Sequence, residues 1–253
     1  MNELDARLRQ LLALEYNCDP LDFDRVENIL TVPALREGRR RYPDQPYFFH
    51  MVTLGQNAVI TAAPELHEFL GRWMAGKEGH WLFELPNLRP LARGLERMGW
   101  ELTGTFHMFL PRLSPPVEGD WPVRWITEPE IRSLYGQGWE NALSSHYRPE
   151  RPDRMAVCAV EGERIVAMAG CSEDAPHWMQ IGIDVLPDWR SRGLGTYLVG
   201  RMKQRIEEMG DIPFYGTSAA NEHSRNIAIR CGFRPAWVEI GARKTENGSN
   251  SPA

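Results

Sequence analysis

Ile181-Gly-Ile-Asp-Val-Leu-Pro187-Asp-Trp-Arg190-Ser-Arg192-Gly193-Leu-Gly195 is the stretch whose reading decides the fold. Ile181 to Leu186 is an apolar run of strand length and reads as a buried strand. Pro187 has no N–H to give a sheet ladder and stops it. Two arginines and two glycines follow. Leu198, Val199, Met202 and Ile206 then recur at helical spacing, so Thr196 to Glu208 reads as a helix with one apolar face. A strand, a glycine turn and a helix start together make an anion site. The first N–H groups of a helix have no partner within it and carry partial positive charge, and glycine lets a phosphate come close to the backbone. Arg190 and Arg192 add charge that suits a diphosphate.

Two common phosphate loops do not fit. A Walker loop needs Lys and Ser/Thr directly after its last glycine, and Thr196-Tyr197 stand there. A dinucleotide fingerprint needs a third glycine where Leu198 stands, and its glycines follow the strand at once. The pattern that fits is Val-x-Pro followed by Arg-x-x-Gly-x-Gly, met at Val185, Pro187, Arg190, Gly193 and Gly195. It resembles the acetyl-CoA loop of the GNAT superfamily of N-acetyltransferases. A second motif agrees. GNAT proteins commonly carry Asn-x-x-Ala/Ser in the helix after the fifth strand and Gly-Phe just after that helix. Asn221-Glu-His-Ser224 and Gly232-Phe233 hold those places.

Outward from the loop, the second half runs β-α-β-β-β-α-β-α-β, which is also the GNAT order. The strands are expected at 123–127, 155–161, 164–170, 178–186, 214–218 and 237–240. Helices are expected at 128–136, 196–208 and 221–230, with a shorter helix or loop at 138–147. Pro111 to Trp121, with Pro115, Pro116 and Gly119, has linker composition. The expected organisation is an N-terminal α/β domain at 1–114, a linker at 115–122, a GNAT-type domain at 123–243 and a disordered tail at 244–253. The fold class is α/β (α+β), a mixed sheet flanked by helices. In the first half, helices are expected at 2–16, 64–75 and 88–98, strands at 47–54, 58–62, 81–85 and 101–110, and a short helical turn at 22–28. Its strand, helix, Gly99-Trp100, strand ending repeats that of the second half. The echo allows a degenerate GNAT-like half or an unrelated α/β cap.

The 253-residue chain carries a net charge of −5, which argues against a general nucleic-acid or anionic-membrane binder. No apolar run approaches the roughly 20 residues of a membrane span. The start, Met1-Asn-Glu-Leu-Asp, lacks the basic and apolar regions of a signal peptide. Cys18, Cys158, Cys171 and Cys231 show no metal spacing, so free thiols in a reducing cytoplasm and no metal are expected. A monomer or homodimer is expected.

By resemblance, acetyl-CoA is the co-substrate. Backbone groups of Ile183 and Val185 pair with its pantetheine arm in a slot beside the central strand. The backbone of Arg192, Gly193, Leu194, Gly195 and Thr196 holds the pyrophosphate, Arg190 or Arg192 reaches the 3′-phosphate, and Asn221 and Ser224 contact the arm. Asn221 is equally placed to cap its helix. The implied reaction is direct acetyl transfer to the amine of a small molecule or a protein. Two expected catalytic groups are missing. The family's frequent tyrosine proton donor is replaced by Ala228, and alternation from Val185 leaves His177 as the one titratable group on the slot face. His177 is therefore the candidate base and Tyr215, in the adjacent strand, the candidate donor. Glu173 and Asp174, read as turn residues, are a second source of a base through water. The rival class is a non-catalytic acyl-CoA-binding or sensing module.

Overall fold

The computed structural model describes residues 2–42 and 45–245. The fold is mixed α/β, and the chain divides into two compact units. Met1–Arg39, Pro43–Phe106 and Trp237–Ala253 form one; Arg40–Tyr42 and His107–Ala236 form the other. The sequence suggested a single cut near 115–122. Instead, the boundary falls between Phe106 and His107, Arg40–Tyr42 belong with the later unit, and the chain returns to the earlier one from Trp237.

In the first unit, α1 (Glu3–Tyr16) starts where Asn2 accepts the Asp5 amide at 2.8 Å, and ends at Asn17 in left-handed geometry. It buries Leu8, Leu11, Leu12 and Tyr16. The short strand β1 (Ile29–Thr31) pairs in parallel with β3 (Ala58–Ala62), which forms a hairpin with β2 (Phe49–Thr53). Both hairpin strands are buried at all five positions, which is why they read as apolar runs. Helices α2 (His67–Met74) and α3 (Leu85–Glu96) bring Leu70, Trp73, Leu91 and Leu95 to the core around Phe49, Met51 and Ile60. The strand expected at 81–85 is a 3₁₀ turn, Gly79–Phe83. A Cβ on Gly79 would lie 2.2 Å from the Asn57 backbone, so close main-chain approach, not strand pairing, fixes this segment. The strand expected at 101–110 is broken into β4 (Trp100–Leu102) and β5 (Phe106–Pro111).

The second unit continues through β6 (Val123–Thr127), α4 (Glu128–Ile131), β7 (Asp153–Glu161), β8 (Arg164–Ala175), β9 (Trp178–Val185), α5 (Leu194–Glu208), β10 (Ile212–Ser218), α6 (Glu222–Arg230) and β11 (Phe233–Lys244). Its sheet runs in the order β5-β10-β9-β8-β7-β6, with β9 and β10 parallel and β9, β8, β7 and β6 successively antiparallel. The apolar stripe of α5 (Leu198, Val199, Met202, Ile206) is buried in one core with Val157, Ala169, Ile181 and Phe233. The expected linker is not free. Val117 and Trp121 pack on that core, and Val117 would clash with a Cβ on Gly200 of α5. Strand β11 gives its first four residues to this unit; Val238–Gly241 pair with β2 and Ala242–Lys244 with β4 in the other. The strand thus runs well past the expected 237–240. Lys244 closes it and the Thr245 amide donates to the Gly99 carbonyl at 3.0 Å, while the rest of the expected tail, 246–253, lies outside the described residues.

Candidate active site: a parted strand pair and an uncapped helix

β9 and β10 pair through four residues, from Ile212↔Trp178 to Tyr215↔Ile181. Beyond that no pair joins them, although both strands continue. On its other side β9 stays paired with β8 as far as Ala167↔Val185. Gly182 to Val185 therefore present one main-chain edge without a neighbouring strand. Ile183 and Val185 lie on this stretch, partly exposed.

A 3₁₀ turn, Pro187–Trp189, leads to the start of α5. Gly193 is its N-cap at φ 84° and Ser191 also takes positive φ, 61°. No side chain caps the helix. The first four amides, Gly193 to Thr196, have no partner from helix geometry and leave a positive pole open to solvent. Nothing lies within 4 Å of where a Gly193 Cβ would be. Gly195 is different: a Cβ there would sit 2.9 Å from Ile227 Cδ1, so this glycine keeps α5 close to α6. Leu194 is buried and anchors the turn. The Arg190 Nε donates to the Val185 carbonyl at 3.2 Å. Arg192 donates to the Asp188 carbonyl at 3.0 Å and its guanidinium lies over Trp189, 4.6 Å from the ring centre. Both arginines flank the pole.

Asn221 caps α6, its Oδ1 accepting the Ser224 amide at 3.1 Å. The Ser224 hydroxyl lies 2.8 Å from the Tyr215 hydroxyl. Tyr215 is 2% exposed and sits at the last β9–β10 pair, where the strands part. Burial pushes its phenol up to about 12. The structure thus brings Tyr215, Ser224, the open edge of β9 and the α5 pole to one unit. His177 is set apart. It lies in the β8–β9 turn at φ 66°, its side chain largely exposed and its Nδ1 2.8 Å from Asp211 Oδ1. Ile181, where β9 parts from β10, is four residues further along, roughly 13 Å at about 3.3 Å per residue. The turn placement of Glu173 and Asp174 is also corrected, because β8 runs on to Ala175.

A second feature was missed in the sequence. On the face of β9 opposite Ile183 and Val185 lies a cavity of about 160 Å³, lined among others by Glu140, Ser144, Arg151, Asp153, Gln180 and Gly182. Its roof is the segment 140–145, which crosses the sheet over two glycines. A Cβ on Gly182 would lie 1.8 Å from the Asn141 carbonyl oxygen, and one on Gly170 2.1 Å from that of Ala142. Asp184 pins this segment by accepting the amides of Asn141 (2.8 Å) and Ala142 (2.9 Å) and the Asn141 side chain (2.6 Å). In the floor, Arg151 donates to Asp174 (2.6 Å) and Ser172 (3.1 Å), and Tyr42 donates to Gln180 (2.7 Å). Asp174 is fully buried, and its Oδ2 has no hydrogen-bond partner. The mid-strand glycine at 182 and the charged, proline-rich run Arg148 to Arg154 were the sequence signals available.

The model of the acetyltransferase (GNAT) family matches residues 120–233, so the second unit carries a GNAT acetyltransferase domain. The chemistry this supports is acyl transfer from an acyl-CoA. Similar solved structures include a GNAT-family protein from Novosphingobium aromaticivorans (17% identical, 57% of this chain and 66% of that one, TM-score 0.46). Another is the GCN5-related N-acetyltransferase from Sphaerobacter thermophilus (14% identical, 98% and 95%, TM-score 0.47). A third is a Salmonella typhimurium protein solved with its cofactor acetyl-CoA (13% identical, 52% and 98%, TM-score 0.35). The chain spans just under two thirds of the Novosphingobium protein. No curated protein matches the sequence. Among the described residues no helix is long and apolar enough to cross a membrane.

Proposed function

We propose that the second unit moves an acetyl group from acetyl-CoA directly to a primary amine. The observation that carries this reading is the parting of β9 from β10 after Ile181↔Tyr215, immediately upstream of an uncapped helix start. An extended pantetheine arm can add to the free edge at Ile183 and Val185 as a strand would. The amides of Gly193 to Thr196 then meet the diphosphate, and Arg190 or Arg192 the 3′-phosphate. Asn221 and Ser224 stand on the other side of the slot.

The arm leads the thioester to the fork, where Tyr215 stands. Its phenol, held near 12, stays protonated at neutral pH. It is a weaker acid than a departing thiol of about 8.5. Tyr215 therefore stabilises the leaving sulfur by donating a hydrogen bond, not by giving up its proton. The oxyanion of the tetrahedral intermediate is met by a main-chain N–H on the free edge of β9. On this reading His177, in the β8–β9 turn, is not the base.

The rival reading, a module that binds acyl-CoA without turning it over, draws on Ala228, which is buried where a donor tyrosine is common. Calorimetry with acetyl-CoA, followed by thiol release on an amine panel, separates the two. Binding and amine-dependent release establish the transferase. Binding without release on any amine establishes the sensor. No binding ends both.

A further inference from the structure

On one face of the second unit the sheet is wider than the helix that covers it. α5 packs over β7, β8, β9 and β10, and β6 is the last strand of the sheet. Trp125 of β6 is opposite Val157 of β7, and Thr127 is opposite Met155. Val157 and Met155 belong to the α5 core. Cross-strand partners share a face, so Trp125 and Thr127 lie on the α5 side too. A strip of sheet is thus left open between the outer strands and the flank of the helix. It forms a groove of about 510 Å³. Small-molecule sites usually hold roughly 300–1,000 Å³.

The groove has an apolar side and a cationic side. Trp125 is 36% exposed and Met209, just past the end of α5, is 45% exposed; with Met155 they make the apolar side. The other side carries Arg154, Arg201 and Arg205 against one carboxylate, Glu208, in a chain of net charge −5. Arg201, Arg205 and Glu208 recur at helical spacing and share one flank of α5. Two of the arginines are engaged. Arg154 donates to Glu173 at 2.7 Å, and Arg205 lies 3.6 Å from Glu208. Arg201 differs. Among the described residues its side chain meets no carboxylate. Its Nη1 donates to the Tyr197 hydroxyl at 3.1 Å, a neutral acceptor. Most of the five donors of a guanidinium are left over there.

We propose that this groove is a binding site for a small aromatic carboxylate, with the ring against Trp125 and the carboxylate on Arg201. A flat ring can stack on the open indole, and the thioethers of Met155 and Met209 suit its edges. A carboxylate matches the guanidinium fork with two parallel hydrogen bonds. A cationic ligand would meet three arginines, and a neutral ring would leave Arg201 unpaired. The site is separate from the coenzyme slot. Arg201 is eight residues along α5 from Gly193, about 12 Å at 1.5 Å per residue, and Met209 about 24 Å.

The test titrates indole-3-acetate into the full chain by calorimetry, with tryptamine and acetate as controls, each with and without acetyl-CoA. Indole-3-acetate is expected to bind with a Kd at or below about 1 mM and more weakly as salt rises from about 0.05 to 0.5 M. Acetyl-CoA leaves this affinity within about twofold. Tryptamine and acetate each bind at least about tenfold more weakly. Arg201→Ala and Trp125→Ala each weaken indole-3-acetate about tenfold or more, with circular dichroism unchanged. Glu208→Gln removes the one negative wall charge and tightens it about twofold, an effect that disturbed packing would not produce. Tryptamine binding as well as indole-3-acetate, displacement by acetyl-CoA, or full affinity in Arg201→Ala overturns the assignment. No binding of indole-3-acetate, together with a dimer that Trp125→Ala dissociates in sedimentation, gives the groove to a second copy of the chain instead. Failure of acetyl-CoA itself to bind removes the transferase reading and leaves this site standing.

Discussion

Gly193 and Tyr215 show how much single residues decide here. Gly193 holds φ 84° with open space before it, so the position asks for backbone freedom and a bare approach. Gly193→Asp puts a carboxylate where the diphosphate is to lie and strains the turn. It is expected to weaken acetyl-CoA binding at least about a hundredfold, some 2.7 kcal/mol, by calorimetry. An unchanged affinity would remove the loop from the coenzyme site. Tyr215→Phe keeps the ring in the core and deletes one hydroxyl. About a tenfold fall in kcat with little change in the KM for acetyl-CoA is expected. Since the phenol lies near 12, the wild-type rate should show no loss through Tyr215 between neutrality and about pH 10. An alkaline limb in that range that disappears in Tyr215→Phe would contradict the donor role. At this scale fixed spacing singled out Gly193, Gly195, Asn221 and Ser224 in the sequence, and the structure shows the first as a helix N-cap at positive φ and Asn221 as another. The sequence was silent on the cavity beneath segment 140–145, whose lining residues Ser144, Asp153, Ser172 and Gln180 come from four places in the chain. For His177, alternation named a face of a strand but could not report that the residue sits in the β8–β9 turn.

Among the elements, the most exacting is the roof segment 140–145, which has little regular structure and is held from below. Asp184 accepts three of its donors, and Gly170 and Gly182 leave it room. Asp184→Ala should therefore cost about 1–3 kcal/mol in thermal or denaturant unfolding. Helices with strong apolar periodicity, α1 and α5 above all, could be placed from sequence because 3.6-residue spacing is visible locally. Short apolar runs could not. Trp81–Leu85 looked like a strand, but Gly79 against Asn57 fixed that segment as a 3₁₀ turn.

For the molecule as a whole, the informative fact is that β11 serves two units. The composition of 111–121 suggested a clean cut there, and local composition has no means of reporting that Val238 to Lys244 pair with β2 and β4. A fragment ending at residue 114 would expose the buried edge of β2 and lack Ile240 of its core. It is expected to show no cooperative unfolding transition by circular dichroism, and to regain one when a peptide of residues 233–245 is added. A stable, cooperative 1–114 fragment would show that β11 is dispensable to that unit.

The same strand has a bearing on how the protein is made. Translation delivers residues up to Phe106 early, yet the strip that completes their sheet emerges some 130 residues later. At about 5–20 residues per second that is a wait of roughly 7–26 s. During that interval the first unit lacks the strip that completes its sheet, while the second unit, complete by Ala236, is free to fold ahead of it.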